Sequence, residues 1–445
     1  MSRRTPRPDL RRGAPLAALL LFGLALASCS SPPPNLILIS LDTLRPDHVG
    51  AYGYERDTTP NLDALAARGA LFETAYAHAP NTAPSHTSLL TSLYPTVHGV
   101  WNHGIGLDPS VPTLAGILAE NGYDTAAWVQ LVGSTYQSGF ATYQYIGDPE
   151  TSGKGFGSFR PVERMLEWID GRERPFFLFV HTYDVHLPYE PRRKDVRRFA
   201  GRAAAEGLRR RIPQWYVRKL NRGEWELTDE VVELLVAYYD AELFRLDELL
   251  GRFFDGLAER GLEDRTVIAV VSDHGEEFGE RGQFGRHSYS LREEILRVPL
   301  ILAGPGVPEG VRTDVRVGLV DVAPSLLRLA GLEPPAGFQG RDLAPVWSGG
   351  ETEHRTVLAG KRLRHVLLEG PYKYETNHKL FHLGTDPGER RDLAGRLPEI
   401  ARRMRARARH LVEEHRRLGE GIASAGPRHL TPEQRKTLRA LGYVD

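Results

Sequence analysis

The sequence predicts an α/β fold with a large, mostly parallel central sheet flanked by helices, followed by a small C-terminal α+β domain. Three observations predict it. Short apolar runs recur at 35–40, 176–180, 266–271 and 298–302, the pattern of strands buried on both faces. Helix-period segments separate most of them, the alternation expected of a sheet with both faces covered. From about residue 346 the chain changes to short, closely spaced apolar segments joined by turns.

The first strand, Asn35-Leu-Ile-Leu-Ile-Ser40, leads directly to Asp42. A helix starts near Asn61, with Leu62, Leu65 and Ala66 on one face. Val162, Met165, Leu166 and Ile169 recur at i, i+3, i+4 and i+7, the spacing of an amphipathic helix. Pro175 closes that segment, and the strand at 176–180 ends in His181. Residues 191–225 are Arg-rich and weakly periodic. The stretch from Arg192 to Arg222 reads either as a solvated helical face or as a cationic lining of a substrate entrance. A long helix follows over about 228–257, and the strand at 266–271 runs into Ser272-Asp273-His274-Gly275. Short strands are expected at 357–358, 366–368, 372–374 and 380–383, with a charged helical tail from Asp386. The implied domains are a leader at 1–28, a tether at 29–34, the main α/β domain at 35–345 and the α+β domain at 346–445.

Composition narrows the function classes. The chain carries 57 basic and 57 acidic residues over 445 positions. Without the leader the counts are 52 and 56, because residues 1–28 hold five Arg and one Asp. No basic excess marks a nucleic-acid partner. Cys29 is the single cysteine, which excludes an intrachain disulfide or a Cys-rich zinc site. Any metal must therefore be held by Asp, Glu, His and similar ligands.

The N-terminus reads as a targeting segment. Arg3, Arg4, Arg7, Arg11 and Arg12 precede an apolar run from Leu16 to Ala27. That run is short of the roughly 20 residues a membrane span needs and suits a signal peptide. Leu26-Ala27-Ser28-Cys29 resembles a bacterial lipobox, with Cys29 as the lipidated residue. The plainer reading is a simple signal peptide with an incidental cysteine. Ser30, Ser31 and Pro32 to Pro34 then form a short stiff tether. The lipobox resemblance implies a lipoprotein anchored to a membrane of the bacterial cell envelope, facing the periplasm or exterior.

Three polar clusters follow predicted strands: Asp42-Thr43, His181 to His186, and Asp273-His274. In open α/β sheets ligands bind at that carboxyl edge. Asp42, Asp273 and His274 supply two carboxylates and an imidazole, a set suited to a hard divalent cation. Singly, each Asp also suits a turn or helix cap. Asn81-Thr82-Ala83-Pro84-Ser85-His86 opens a helix-compatible segment, Pro84 fitting its first turn. Thr82 then lies at a helix N-terminus, where anions are stabilised. A hydroxyl held there and touching a metal can lose its proton and attack; the alternative is an ordinary N-cap.

These segments together resemble the sulfatase family of the alkaline phosphatase superfamily, from Asn35 to about Leu393. The resemblance rests on residues 35–43, Thr59-Pro60-Asn61-Leu62 with Gly69 to Phe72, and Thr82-Ala-Pro84-Ser85 through Tyr94-Pro95 and His98-Gly99-Val100. It continues through 176–188, Ser272-Asp273-His274-Gly275, Arg297-Val298-Pro299-Leu300, Leu380-Phe381 and Asp386-Pro387-Gly388-Glu389 with Asp392-Leu393. It implies metal binding by Asp42, Asp273 and His274, with Thr82 at the nucleophile position in contact with the metal. It implies that His181 or His186 steadies the leaving group, and that His287 contacts the substrate oxyanion; the plain alternative for His287 is a surface loop residue. Ca²⁺ is the first expectation, with Zn²⁺, Mn²⁺ and Mg²⁺ as alternatives.

Three departures shape the functional expectation. The family signature is C/S-x-P-S-R, whose Cys or Ser becomes formylglycine; here that position is Thr82, which is not expected to be converted. The signature's Arg is His86, and the second Asp of the usual Asp-Asp pair is Thr43. Relatives with an unmodified Thr include phosphodiesterases and phosphotransferases, which attack phosphorus directly through a covalent phospho-Thr; the resemblance thus offers, as an alternative, such an enzyme acting on envelope glycans or lipid headgroups. The expected activity is hydrolysis or transfer of a sulfate or phosphate ester on a glycan, lipid or small molecule. The alternative of another class is a degenerate member that binds an anionic ligand without turnover. Specificity is assigned to loops at about 130–154 and 190–221.

Overall fold

The computed structural model describes residues 32–130, 137–145, 162–204 and 209–422. Cys29 and the leader lie outside the described residues, as does much of the loop expected at 130–154. Strands β1 (Asn35–Leu41), β2 (Gly69–Phe72), β3 (Ala75–Tyr76), β4 (Asp124–Val129), β5 (Thr142–Tyr145) and β6 (Phe176–Thr182) come first. They are followed by β7 (Thr266–Val271), β8 (Arg297–Val298), β9 (Leu300–Ala303), β10 (Val311–Thr313) and β11 (Val317–Gly318). The last four are β12 (Val357–Lys361), β13 (Arg364–Glu369), β14 (Tyr372–Glu375) and β15 (Lys379–His382).

The central sheet has the order β10-β2-β9-β7-β1-β6-β4-β5. Its pairings are parallel except at β9, which runs antiparallel to both β2 and β7. The parity of β1 explains its place at the centre. Ile37, Ile39 and Leu41 enter one hydrophobic core, and Leu36 and Leu38 enter the other. Successive side chains of a strand point to opposite faces, so an unbroken apolar run fills both layers. The first layer holds the long helix Asp229–Glu259 with Pro60–Ala67 and Val162–Asp170. The second holds Leu114–Glu120, Val322–Leu329 and, through Leu89 and Leu90, the wholly buried helix Thr82–Thr91.

Two sequence expectations are corrected in detail. The strand expected at 298–302 is split at Pro299. Proline has no N–H for a ladder, and β8 pairs with β3 in a separate three-stranded sheet while β9 joins the central one. The chain from Asp386 is not helical throughout; the described tail helix is Pro398–Leu418, with Pro at its first turn. The helix Ala344–Trp347 spans the expected boundary at about 346, and its Val346 and Trp347 belong to the second core layer. The described residues from Pro33 onward form one compact unit. Strands β12 to β15 form an antiparallel sheet that buries Val357, Ala359, Val366 and Leu368 against Leu291, Ile295 and Leu296. The Arg-rich stretch forms helices Arg193–Ala204 and Gln214–Asn221. Several of its cations are paired locally, as Arg192 is with Asp195 and Glu248, and Arg210 with Glu190. No helix among the described residues is long and apolar enough to cross a membrane.

Candidate active site

Adjacent strands β7, β1 and β6 lie parallel, so their carboxyl ends share one edge of the sheet. Asp42 follows β1, and Asp273 and His274 follow β7. His181 lies within β6, in register with Ser40, rather than just past the strand end as the apolar run suggested. Topology thus gathers residues more than two hundred positions apart.

Thr82 reaches the same edge from the helix Thr82–Thr91. The cap residue is Asn81, in extended conformation, and Thr82 is the first helical residue. Its hydroxyl donates to Asp42 Oδ2 at 3.1 Å and lies 3.3 Å from His274 Nε2. His274 Nδ1 is 3.0 Å from the Gly275 carbonyl, which can only accept. That contact places the ring hydrogen on Nδ1 and leaves the Nε2 lone pair facing Thr82. Gly275 is needed for packing, because a Cβ there would lie 2.1 Å from the Glu294 carbonyl oxygen. Ser85 ties the helix to the loop after β7 by donating to the Asp273 carbonyl at 2.7 Å.

The other expected residues join this centre. His181 Nε2 is 3.1 Å from Asp42 Oδ2. The His287 ring stacks on His274 with centroids 4.5 Å apart, and His186 lies 5.3 Å from His287. His186 Nδ1 donates to the Leu187 carbonyl. Asp42, Thr82, His181, Asp273 and His274 are all 0 % exposed, and His287, at 9 %, marks the more open side.

Burial sets the electrostatics. Desolvation, reinforced by neighbouring Asp273, holds the Asp42 carboxyl well above its ordinary range. Desolvation pushes His181 down to about 4 against the raising effect of Asp273, and His186 down to about 3. His287 is pushed well below its usual value by burial and then by His274 and His186. The imidazoles are therefore neutral at pH 7, as ligands or proton acceptors must be.

The donor chemistry fits a divalent cation. Asp42, Asp273 and His274 each offer a ligand atom, all within 4.8 Å of one another. Asp42 Oδ1 and Asp273 Oδ2 are buried without a hydrogen bond, which is costly for carboxylates unless a cation meets them. Thr43 replaces a family carboxylate with a turn residue. It adopts φ 58°, a left-handed conformation rare for a β-branched residue, and its carbonyl accepts from Tyr239 Oη at 3.1 Å.

Two residues escaped sequence reasoning as parts of the site. His86, noted only as a departure from the signature, is fully buried with its ring 4.4 Å from that of His181. It follows Thr82 by four positions, so helical spacing alone puts both on one face. His103, on an irregular loop, is buried and lowered to about 3 by desolvation and then by His274, His181 and His186. No periodic signal precedes it.

With this geometry in hand, a model of the family described as Sulfatase matches residues 34–332. The chain belongs to the sulfatase family. Among curated relatives, arylsulfatase K of Xenopus laevis is 24% identical over 456 residues, covering 87% of this chain and 84% of the relative. Choline-sulfatase of Rhizobium meliloti is 27% identical over 430 residues, covering 81% and 82%. Among solved structures, the phosphonate monoester hydrolase of Agrobacterium radiobacter superposes with a TM-score of 0.67 at 20% identity, covering 90% of this sulfatase and 98% of that chain. That likeness carries the fold. The protein is a hydrolase acting on ester bonds. Members of its family bind a divalent metal, and the buried Asp/His cluster provides a place for one.

Proposed function

We propose that this sulfatase-family hydrolase cleaves an anionic ester by direct attack of unmodified Thr82, with a phosphate ester as the preferred substrate. The observation that carries the reading is the position of the Thr82 hydroxyl, 3.1 Å from Asp42 Oδ2 and 3.3 Å from His274 Nε2 at the start of a ten-residue helix. Asp42, Asp273, His274 and Thr82 would hold the divalent ion. When bound, that ion lowers the hydroxyl pKa and neutralises charge on the ester oxygens. Thr82 Oγ1 attacks, passing its proton toward Asp42 Oδ2, which already accepts it. The partial positive charge at the helix N-terminus favours the bound anion. His181 steadies Asp42, while His186 and His287 lie on the more open side, His287 to hydrogen-bond the ester oxygens and His186, whose Nδ1–H is held by the Leu187 carbonyl, to accept a proton through Nε2. A second reading, sulfate-ester hydrolysis, is favoured by the family and by the arylsulfatase and choline-sulfatase relatives.

The test is an assay of wild type and Thr82→Ala with aryl sulfate, aryl phosphate monoester and aryl phosphodiester, with Ca²⁺, Mg²⁺, Mn²⁺ or Zn²⁺ added or withheld. Metal-dependent phosphoester turnover lost in Thr82→Ala is expected. Turnover of the sulfate ester alone would favour the second reading, and full activity in Thr82→Ala would remove the nucleophile. The reading extends to location: export and lipidation at Cys29 tether the enzyme to the cell envelope. Palmitate labelling of wild type and not of Cys29→Ser is the expected result.

A further inference from the structure

The segment around His287, on the more open side of the site, is gripped by the C-terminal sheet. Strands β12 and β13 are joined by Arg362 and Leu363, with Lys361 and Arg364 paired directly across the hairpin. Lys361 Nζ donates to the Ser288 carbonyl, and an Arg364 N–H reaches the Tyr289 carbonyl at 3.4 Å. Tyr289 is 66 % exposed, with the Arg286 guanidinium 4.6 Å and Lys361 Nζ 5.0 Å from the centre of its ring. Three cations thus surround an exposed aromatic ring two residues from His287, at most about 7 Å of extended chain. We propose that Arg286, Lys361 and Arg364 bind a second anionic group on the substrate, so that the preferred esters are polyanions, such as multiply phosphorylated or sulfated sugars. The place of the reacting ester rests on the function proposed above; the second subsite rests on its own residues.

The local arrangement is unfavourable until an anion meets it. Like charges directly opposite on paired strands repel, and Lys361 and Arg364 stand in that relation. Burial, and then the charge of Arg364, holds the Lys361 ammonium below its ordinary range. Among the described residues none of the three cations forms an ion pair. Arg286 donates to Gln283 Oε1 at 2.7 Å, and the other two donate to backbone carbonyls. The Arg-rich stretch differs, since its Arg210, Lys219 and Arg222 reach Glu190 or Glu224. Guanidinium and ammonium groups bind phosphate or sulfate oxygens through charge-assisted hydrogen bonds.

The direction of the side chains favours a substrate over a surface. Leu363, 85 % exposed, stands at the hairpin turn. Lys361 and Arg364 fold away from it, onto the residues that follow His287. Their charge is therefore held beside the site's open side, where a substrate enters.

The test is calorimetric titration of the metal-loaded full chain carrying Thr82→Ala, with glucose 1-phosphate and glucose 1,6-bisphosphate as probes. The bisphosphate is expected to bind at least about 10-fold more tightly, the worth of one added charge-assisted contact. Lys361→Gln combined with Arg364→Gln should bring that ratio below about threefold and leave the monophosphate affinity unchanged. Arg364→Lys should keep the preference. Equal affinity for the two sugars before these changes would overturn the subsite, as would a preference that survives the double substitution. Equal affinity accompanied by phosphatidylglycerol-vesicle binding that the double variant loses would assign the hairpin to a membrane instead. The proposed function fails separately. Wild type that turns over no aryl ester, with the bisphosphate preference intact, would remove Thr82 as nucleophile and keep the subsite.

Discussion

Charged groups are buried in two regions of this molecule, and they are resolved in opposite ways. Under the C-terminal sheet, Lys373 is 0 % exposed and paired with Glu293 at 2.9 Å and Glu389 at 3.0 Å. Arg292 reaches Glu375 at 3.2 Å and Glu389 at 3.5 Å, and the backbone N–H of Glu293 donates to Glu389 at 2.9 Å. Every carboxylate here has a cation within ion-pair distance, Glu375 included, although both of its oxygens lack a hydrogen bond. At the edge of the central sheet, Asp42 meets the Thr82 hydroxyl and His181, Asp273 accepts the backbone N–H of His274, and each keeps a carboxylate oxygen without a hydrogen bond. A closed ion cluster holds one sheet to the rest of the chain; an open one is arranged around a missing charge. Burial is common to both, so balance rather than burial separates structural charge from functional charge.

Mutation can break this comparison. The largest effect is expected at Thr82. Thr82→Ala should lower kcat/KM by at least ~10³-fold with little change in stability, measured by steady-state kinetics beside thermal unfolding. Lys373→Met should do the reverse. Removing one partner of a buried ion cluster costs about 3–5 kcal/mol, so chemical denaturation should show a large loss while activity per folded molecule is kept. His186→Ala, which removes a proton acceptor, should reduce kcat about 10²-fold on esters with poor and activated leaving groups alike, read from steady-state kinetics.

Two smaller effects concern pH and unpaired carboxyls. In metal-free protein, Asp42→Asn should raise the unfolding midpoint at neutral pH while abolishing turnover. The Asp42 carboxyl lies above its ordinary range through burial and Asp273. Its ionisation therefore weighs against the fold as pH rises, and the gain from Asn should vanish below about pH 4, where both states are protonated. Glu242, outside both clusters, gives a milder form of the same test. Burial raises it from 4.5 to about 8, against one backbone donor, the N–H of Glu190 at 2.6 Å. The folded state keeps a proton that the unfolded state has lost, so wild type loses stability between pH 4.5 and about 8. Glu242→Gln should match wild type below that window and exceed it increasingly up to its top, read from denaturation midpoints against pH.

The legible parts of the sequence were those with a period or a position. The apolar run of β1 made a buried strand readable, and its two-layer core follows from alternation. Asp42, Asp273 and His274 were readable because they follow such runs at the carboxyl edge. The split at Pro299 was in the sequence too, as a residue without a ladder N–H inside an otherwise continuous run. His103 was not readable, because an irregular loop carries no period to say which way it turns. His86 was readable only in part. Its spacing from Thr82 shows that they share a helix face, but that His181 and Asp273 meet it there depends on tertiary packing.

The central claim is that Thr82 itself takes the transferred group. The most direct measurement is the stereochemical course at the reacting centre, using an isotopically chiral ester of whichever class, phosphate or sulfate, is the better substrate. Attack by Thr82 followed by attack of water comprises two displacements, so net retention is predicted. Net inversion would mean that water attacks the ester in one step, and would contradict the account.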